Sequence, residues 1–339
     1  MDLTWIKTDQ TRKFICSHGG LQCFLDVGQS SFCNHLYHVG STRTHQLNGS
    51  QFMSYRSILI HVGNTTDLEQ RVKLAARLAS ADRTTVVGLA ISGNTKFMSR
   101  FLSPADQIAS GISSDQAFPA DELAHRGKRH LEMTRSLARF ATLAQQYGIA
   151  SVQQLHVDDD AASALSAHGS AADLIILGKN DLQHPARREE SDLVEFVTLN
   201  TTAPVFTVNE KPFSWRHALV AWNGSSVAAR AARNALPILE KVDLVSAVIF
   251  GDGIDPSTHA IASEDALRQC LSTIPKPVNV IHRTETPDTG HALLALADEL
   301  DADLIVMGCV AHPRWRETLL GGTTGVVIAE SSTSLLLSR

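Results

Sequence analysis

Apolar and polar positions between residues 57 and 208 fall into short blocks of two kinds. Residues 57–62 (SILIHV) form a compact apolar run with the length of a buried strand. Residues 67–81 instead space Leu68, Val72, Ala75, Ala76 and Ala79 along one helical face. A second strand is predicted at 84–91, then a long polar connection at 93–118. Residues 120–147 predict a long helix with Leu123, Leu131, Leu137, Phe140, Ala144 and Tyr147 turned inward. A strand at 151–157, a short helix at 161–168, a strand at 173–177 closed by Gly178, a helical stretch and a strand at 204–208 follow.

The same order then returns. Strands are predicted at 217–222, 243–250, 278–283, 303–307 and 334–337, with helices at 227–239, 263–274 and 290–300. Two blocks of alternating strands and helices imply two doubly wound α/β domains, each a mostly parallel sheet. The boundaries are 53–210 and 214–339. The repeat can be checked by offset. Asp173-Leu174-Ile175-Ile176-Leu177-Gly178 matches Asp303-Leu304-Ile305-Val306-Met307-Gly308 at a shift of 130, and both copies run on without a gap to Asn209 and Arg339. The first strands match at a shift of 160. A repeat of this length is a duplicated domain, not a solenoid unit.

Residues 1–52 carry no sustained period. They hold Cys16, Cys23 and Cys33 and four histidines, at spacings that match no common zinc pattern. The expectation is a poorly ordered extension, or a natural start at Met53. The net charge of -5 offers no field for nucleic acid or an anionic membrane. No apolar run approaches the roughly 20 residues that span a bilayer. Five scattered cysteines without a CxxC fit a reducing cytoplasm.

The candidate chemistry lies at 303–324. An apolar strand ends at Gly308. A loop follows, then Gly321-Gly322, Thr323 and Thr324 at a helix start. Strand, glycine-bearing loop and helix N-terminus are the parts of a phosphate cradle, and also of plain turns. Asn223-Gly224-Ser225 after the first strand of this copy reads either as a ligand contact or as a turn and helix N-cap. In the first copy, Gly308, Ala311, Gly321 and Gly322 correspond to Gly178, Asp181, Ser191 and Asp192, with Glu189 and Glu190 just before. Carboxylates there repel phosphate. No GxSxG, HExxH, GxxxxGK[ST] or SGGxDS is present. Cys309 reads as a small packed residue, and no catalytic residue is assigned.

The second copy resembles the universal stress protein family. Ala221-Trp222-Asn223-Gly224-Ser225 with Ala228-Ala229-Arg230-Ala231 is similar to the first strand and helix of many bacterial members. The family's nucleotide motif is Gly, two residues, Gly, nine residues, Gly, then Ser or Thr. Gly308, Ala311 and Gly321 keep that frame, while Ala311 replaces a Gly and Gly322 stands where a hydroxyl belongs. Thr323 or Thr324 is the alternative hydroxyl. His312, Arg314 and Glu317 also look like the family. The resemblance implies two five-stranded Rossmann-like sheets in the order 3-2-1-4-5. It implies ATP, with Mg, in the second domain, and a role in stress response. The rival readings are a protein-interaction module without nucleotide and a weak ATP hydrolase. In the implied order strand 5 is an edge needing a partner. The two fifth strands are therefore expected to face each other within one chain as a pseudo-dimer, with Val205 and Leu335 near the junction. A homodimer through another surface stays open, and protein partners are unidentified.

Overall fold

The computed structural model describes residues 3–8, 11–18, 21–26, 54–63, 65–92, 120–179, 191–209, 211–251, 264–284, 286–309 and 322–339. The chain divides into two compact units, Met1–Ser50 and Gln51–Arg339. Where periodicity gave no regular element, the first unit carries three strands, β1 (Leu3–Thr8), β2 (Thr11–His18) and β3 (Leu21–Asp26). They pair antiparallel in the order β1-β2-β3.

The second unit is built on one ten-stranded sheet. Its first half comprises β4 (Ser57–His61), α1 (Leu68–Leu78), β5 (Thr85–Ile91), α2 (Ala120–Gln146), β6 (Ser151–Val157), α3 (Ala161–Gly169), β7 (Leu174–Gly178), α4 (Ser191–Asn200) and β8 (Val205–Val208). The second half repeats the order with β9 (His217–Ala221), α5 (Ser226–Leu239), β10 (Leu244–Phe250), α6 (Glu264–Cys270), β11 (Val278–Arg283), α7 (Thr289–Glu299), β12 (Leu304–Gly308), α8 (Gly322–Glu330) and β13 (Ser334–Ser338). The strands run β11-β10-β9-β12-β13-β8-β7-β4-β5-β6 across the sheet. Each half therefore has the order 3-2-1-4-5, read from opposite ends. Every neighbouring pair within a half is parallel, as crossover helices require.

The halves join where the two fifth strands meet. β13 and β8 pair antiparallel, with Leu335 opposite Thr207, Leu336 opposite Phe206 and Leu337 opposite Val205. Neither edge is left open there, which removes the aggregation hazard of an apolar edge. Asn209 Nδ2 reinforces the seam by donating to the carbonyls of Ser331 (2.9 Å) and Thr333 (2.8 Å). The Tyr55 hydroxyl donates to the Asn234 carbonyl at 2.5 Å.

Side chains alternate across the sheet, so the core forms two layers. Ile58, Ile60, Phe206, Val220, Val306 and Leu336 share one layer with apolar residues of α1, α2, α5 and α6. Leu59, Ile175, Val205, Leu219, Ile305 and Leu335 share the other with α3, α4, α7 and α8. Each layer runs unbroken across the seam. In α2 the buried residues are Leu137, Phe140, Leu143 and Ala144, with Met133 packed partly against them. Leu131 is a correction. It is 50% exposed, because two residues before Met133 is the opposite side of a 3.6-residue turn.

The aspartate just before the fourth strand plays the same part in both halves. Asp173 Oδ2 accepts from the Arg56 and Ser57 backbone N–H groups at 2.6 and 3.0 Å. Asp303, at the shift of 130, accepts from Ser214 N, Ser214 Oγ, Arg216 N and His217 N at 2.8, 2.5, 3.1 and 3.1 Å. In both halves the residue opening strand 4 therefore anchors the entry to strand 1.

Candidate functional site

In an open α/β sheet the direction of winding reverses between strands 1 and 4, and the crevice beyond their carboxyl ends is the usual ligand position. In the second half those strands are β9 and β12. The loop after β9 is short. Gly224 has φ +75, a left-handed conformation that suits glycine. This turn lets Ser225 cap α5, where its Oγ accepts from Ala228 N at 3.2 Å. Asn223 Oδ1 accepts in turn from Ser225 N (3.1 Å) and Ser225 Oγ (2.7 Å). The turn and N-cap are thus present, and they use the Asn223 oxygen. Its Nδ2 remains as a donor. Trp222, the residue before, is buried, and its indole Nε1 has no hydrogen-bond partner.

Gly308 closes β12 directly against α5. A Cβ at Gly308 would collide with the backbone of Val227 and Ala228. Its missing side chain therefore brings the two loops together at the switch point. On the other side, α8 begins at Gly322. Gly322 is exposed, and a Cβ there would meet nothing within 4 Å. Thr323 is half-buried and Thr324 is 6% exposed. The first turn of a nine-residue helix that opens on a glycine has N–H groups without intrahelical acceptors, the kind of group that receives an anion. Of the residues picked out by motif, Asn223, Gly224, Ser225, Gly308, Gly322, Thr323 and Thr324 are described. Ala311, His312, Arg314 and Gly321 lie outside the described residues. Among the described residues no group of three or more His, Cys, Asp or Glu could hold a metal ion.

The equivalent crevice of the first half is filled by its own helix. Arg71 is 0% exposed. Its guanidinium donates to both oxygens of Asp67 (2.8 and 2.7 Å), to the His61 carbonyl (2.8 Å) and to Thr65 Oγ1 (3.2 Å). A Cβ on Gly178, the counterpart of Gly308, would strike the Arg71 and Asp67 side chains. The buried residues Leu68, Arg71, Val72, Ala75 and Leu78 of α1 match Ala228, Ala231, Ala232, Ala235 and Ile238 of α5 at the shift of 160. Asp67 and Arg71 thus correspond to Val227 and Ala231. Sequence reasoning missed Arg71, because a charged residue was not counted on the buried face. Comparing the copies at that shift would have found it, as a cation set among alanines. The acidic stretch at Asp181, Glu189 and Glu190 lies outside the described residues, as do the Ser191 and Asp192 side chains.

Cys309, next after Gly308, is fully buried, and burial pushes its thiol up to about 12. It stays a neutral, packed thiol at ordinary pH.

Residues 214–339 match the universal stress protein family. No curated protein matches the sequence. Among solved structures, the chain is similar to a universal stress protein from Archaeoglobus fulgidus DSM 4304. The identity is 16% and the TM-score 0.61, covering 86% of this chain and 98% of the other. A protein of unknown function from Pseudomonas aeruginosa PAO1 gives 16% identity and a TM-score of 0.49, over 86% and 94% of the two chains. A universal stress protein from Archaeoglobus fulgidus in complex with dAMP gives 14% and 0.30, over 45% and 98%. At 16% identity the likeness to the first of these structures is one of fold. No helix among the described residues is long and apolar enough to cross a membrane.

Proposed function

We propose that the protein binds one adenine nucleotide, ATP with Mg, in its second half and acts as a cytoplasmic regulatory protein of the stress response. The observation that carries this reading is the difference between the two crevices. In the first half the switch point is occupied by the buried Arg71 guanidinium and its Asp67 partner, whereas the second half has Val227 and Ala231 there. The family match over residues 214–339 falls on the half whose crevice lacks that plug.

In this reading Asn223 Nδ2 and the Gly224–Ser225 turn border the adenine or ribose end. Gly308, Ala311, His312, Arg314, Gly321, Gly322, Thr323 and Thr324 surround the phosphates. The described residues fit an anion through the open helix start at Gly322. The described residues 221–228, 308–309 and 322–326 carry no carboxylate. The test is direct. The purified protein is denatured and its supernatant is run on an anion-exchange column. ATP or ADP approaching one equivalent per chain is expected. No adenine nucleotide, even after incubation with ATP and Mg, would overturn the reading.

A second reading is a protein-interaction module without nucleotide. It is favoured by the Asn223 oxygen, which is spent within its own turn. It predicts the empty column trace from a folded protein.

A further inference from the structure

A cavity of about 440 Å³ lies between α1 and the segment that links the two halves. That volume falls within the roughly 300–1,000 Å³ of small-molecule sites. It is remote in sequence from the loops at the second switch point. One wall is the face of α1 presenting Gln70, Lys73, Leu74 and Arg77, spaced as neighbours on a helix. The other wall is aromatic. Phe213 and Trp215 pack with ring centroids 4.5 Å apart, and Phe213 rests on Phe206 at 5.4 Å. Trp215 has φ +66, a conformation that bulky residues rarely adopt and that persists only where surrounding contacts hold it. Trp215 as a whole is 7% exposed.

The charge above this apolar floor is positive. The Arg77 guanidinium sits over the Trp215 ring, 4.4 Å from its centroid. Among the described residues no carboxylate pairs with Arg77. Lys241 adds a second cation, donating to the Arg77 carbonyl at 2.9 Å. Lys73 is balanced by Glu69 at 2.8 Å. Arg77 is thus the lining cation with no carboxylate partner among the described residues. Arg77 stands in the last turn of α1, where the helix dipole offers no N–H groups to a phosphate. What remains is a preordered guanidinium fork beside aromatic rings, the arrangement that receives a carboxylate carried on a flat apolar body.

We propose that this linker cavity is a second ligand site, taking a small aromatic carboxylate with its carboxyl group on Arg77 and its ring system against Phe213 and Trp215. The site is independent of the nucleotide reading. A ligand there touches both α1 of the first half and the linker, so it stiffens the connection between the halves.

The experiment is calorimetry on the full chain with 2-naphthoate and its neutral analogue 2-naphthamide. Naphthoate is expected to bind one-to-one and naphthamide roughly tenfold more weakly, the effect of one charge-assisted hydrogen-bonded pair. Arg77→Gln is expected to bring naphthoate down to the naphthamide level. Gln70→Trp, at an exposed helix position, should fill the cavity and abolish binding of both while circular dichroism stays native. The proposal is overturned if naphthoate gives no heat up to millimolar concentration, or if acid and amide bind equally. It is also overturned if folded Arg77→Gln and Gln70→Trp both bind as the parent does, since naphthoate would then be seated elsewhere.

Discussion

The Asp303 carboxylate is 2% exposed and accepts from four donors at the entry to β9. Replacing it by alanine removes all four bonds. The donors are not equivalent. Ser214 and Arg216 are exposed, so their groups regain water, at about 0.5 kcal/mol each. His217 N belongs to a buried residue, and stranding it costs about 2 kcal/mol. The expected loss is about 3.5 kcal/mol, a fall in melting temperature of roughly 9 °C for a domain of this size. Asp173 in the first half is exposed and has two backbone donors, from exposed Arg56 and half-buried Ser57. Asp173→Ala should cost only about 1 kcal/mol, or roughly 3 °C. Asp303→Asn keeps an acceptor and should fall between. Thermal unfolding followed by circular dichroism measures all three. Equal shifts for the two alanine variants, or a negligible shift for Asp303→Ala, would refute the reasoning from donor burial.

Arg71→Ala should cost about 3 kcal/mol in urea unfolding, because it opens a void and leaves Asp67 without its cation. Adding Asp67→Val, which copies the second half, should recover part of that loss, and simple additivity would count against the plug. His291 holds Asp288 Oδ2 at 2.6 Å and Glu330 Oε2 at 3.1 Å. The Asp288 hydrogen bond and charge, with Glu330 behind them, raise its pKa above the usual histidine value. Its contribution to stability is therefore full below about pH 6.5 and is lost as pH rises through the raised value. An NMR titration should show the raised value fall toward 6.5 in Asp288→Asn; an unchanged titration would remove the assigned cause. A chain starting at Met53 should melt within about two degrees of the full chain, since a loss well under about 1 kcal/mol is expected; a clearly lower melting point would contradict this.

Much of the fold could be read from spacing alone. The strands of the repeat stand within a residue or two of where the pattern placed them; the central ones are buried on both faces and leave an unbroken apolar signal, while the edge strands β6 and β11 are only partly buried. The shifts of 160 and 130 survive as register: Ile58 pairs with Leu174 as Ala218 pairs with Leu304. The meeting of the fifth strands followed from the strand order that the family resemblance implies, which makes each strand 5 an edge. What spacing missed were polar groups with buried work. Arg71 lies on the inward face of α1, and nothing in a hydrophobic pattern marks a guanidinium as core. Asp303 read as the first residue of a strand, because its partners sit 86 to 89 residues away in sequence. Leu131 went the other way, an apolar residue off the buried stripe. At the candidate site the pattern gave both readings of Asn223-Gly224-Ser225. The structure shows the cap, which sets the backbone but not the ligand.

The claim that the second half alone carries the nucleotide is tested most directly by calorimetry. ATP with Mg is titrated into the full chain, stripped of any nucleotide, and into Gly321→Val. A Cβ and branched side chain at Gly321 would occupy the space of a phosphate oxygen. The account predicts one site per chain in the parent and no measurable binding in a folded Gly321→Val variant. Two equal sites per chain, or undiminished binding in Gly321→Val, would contradict it.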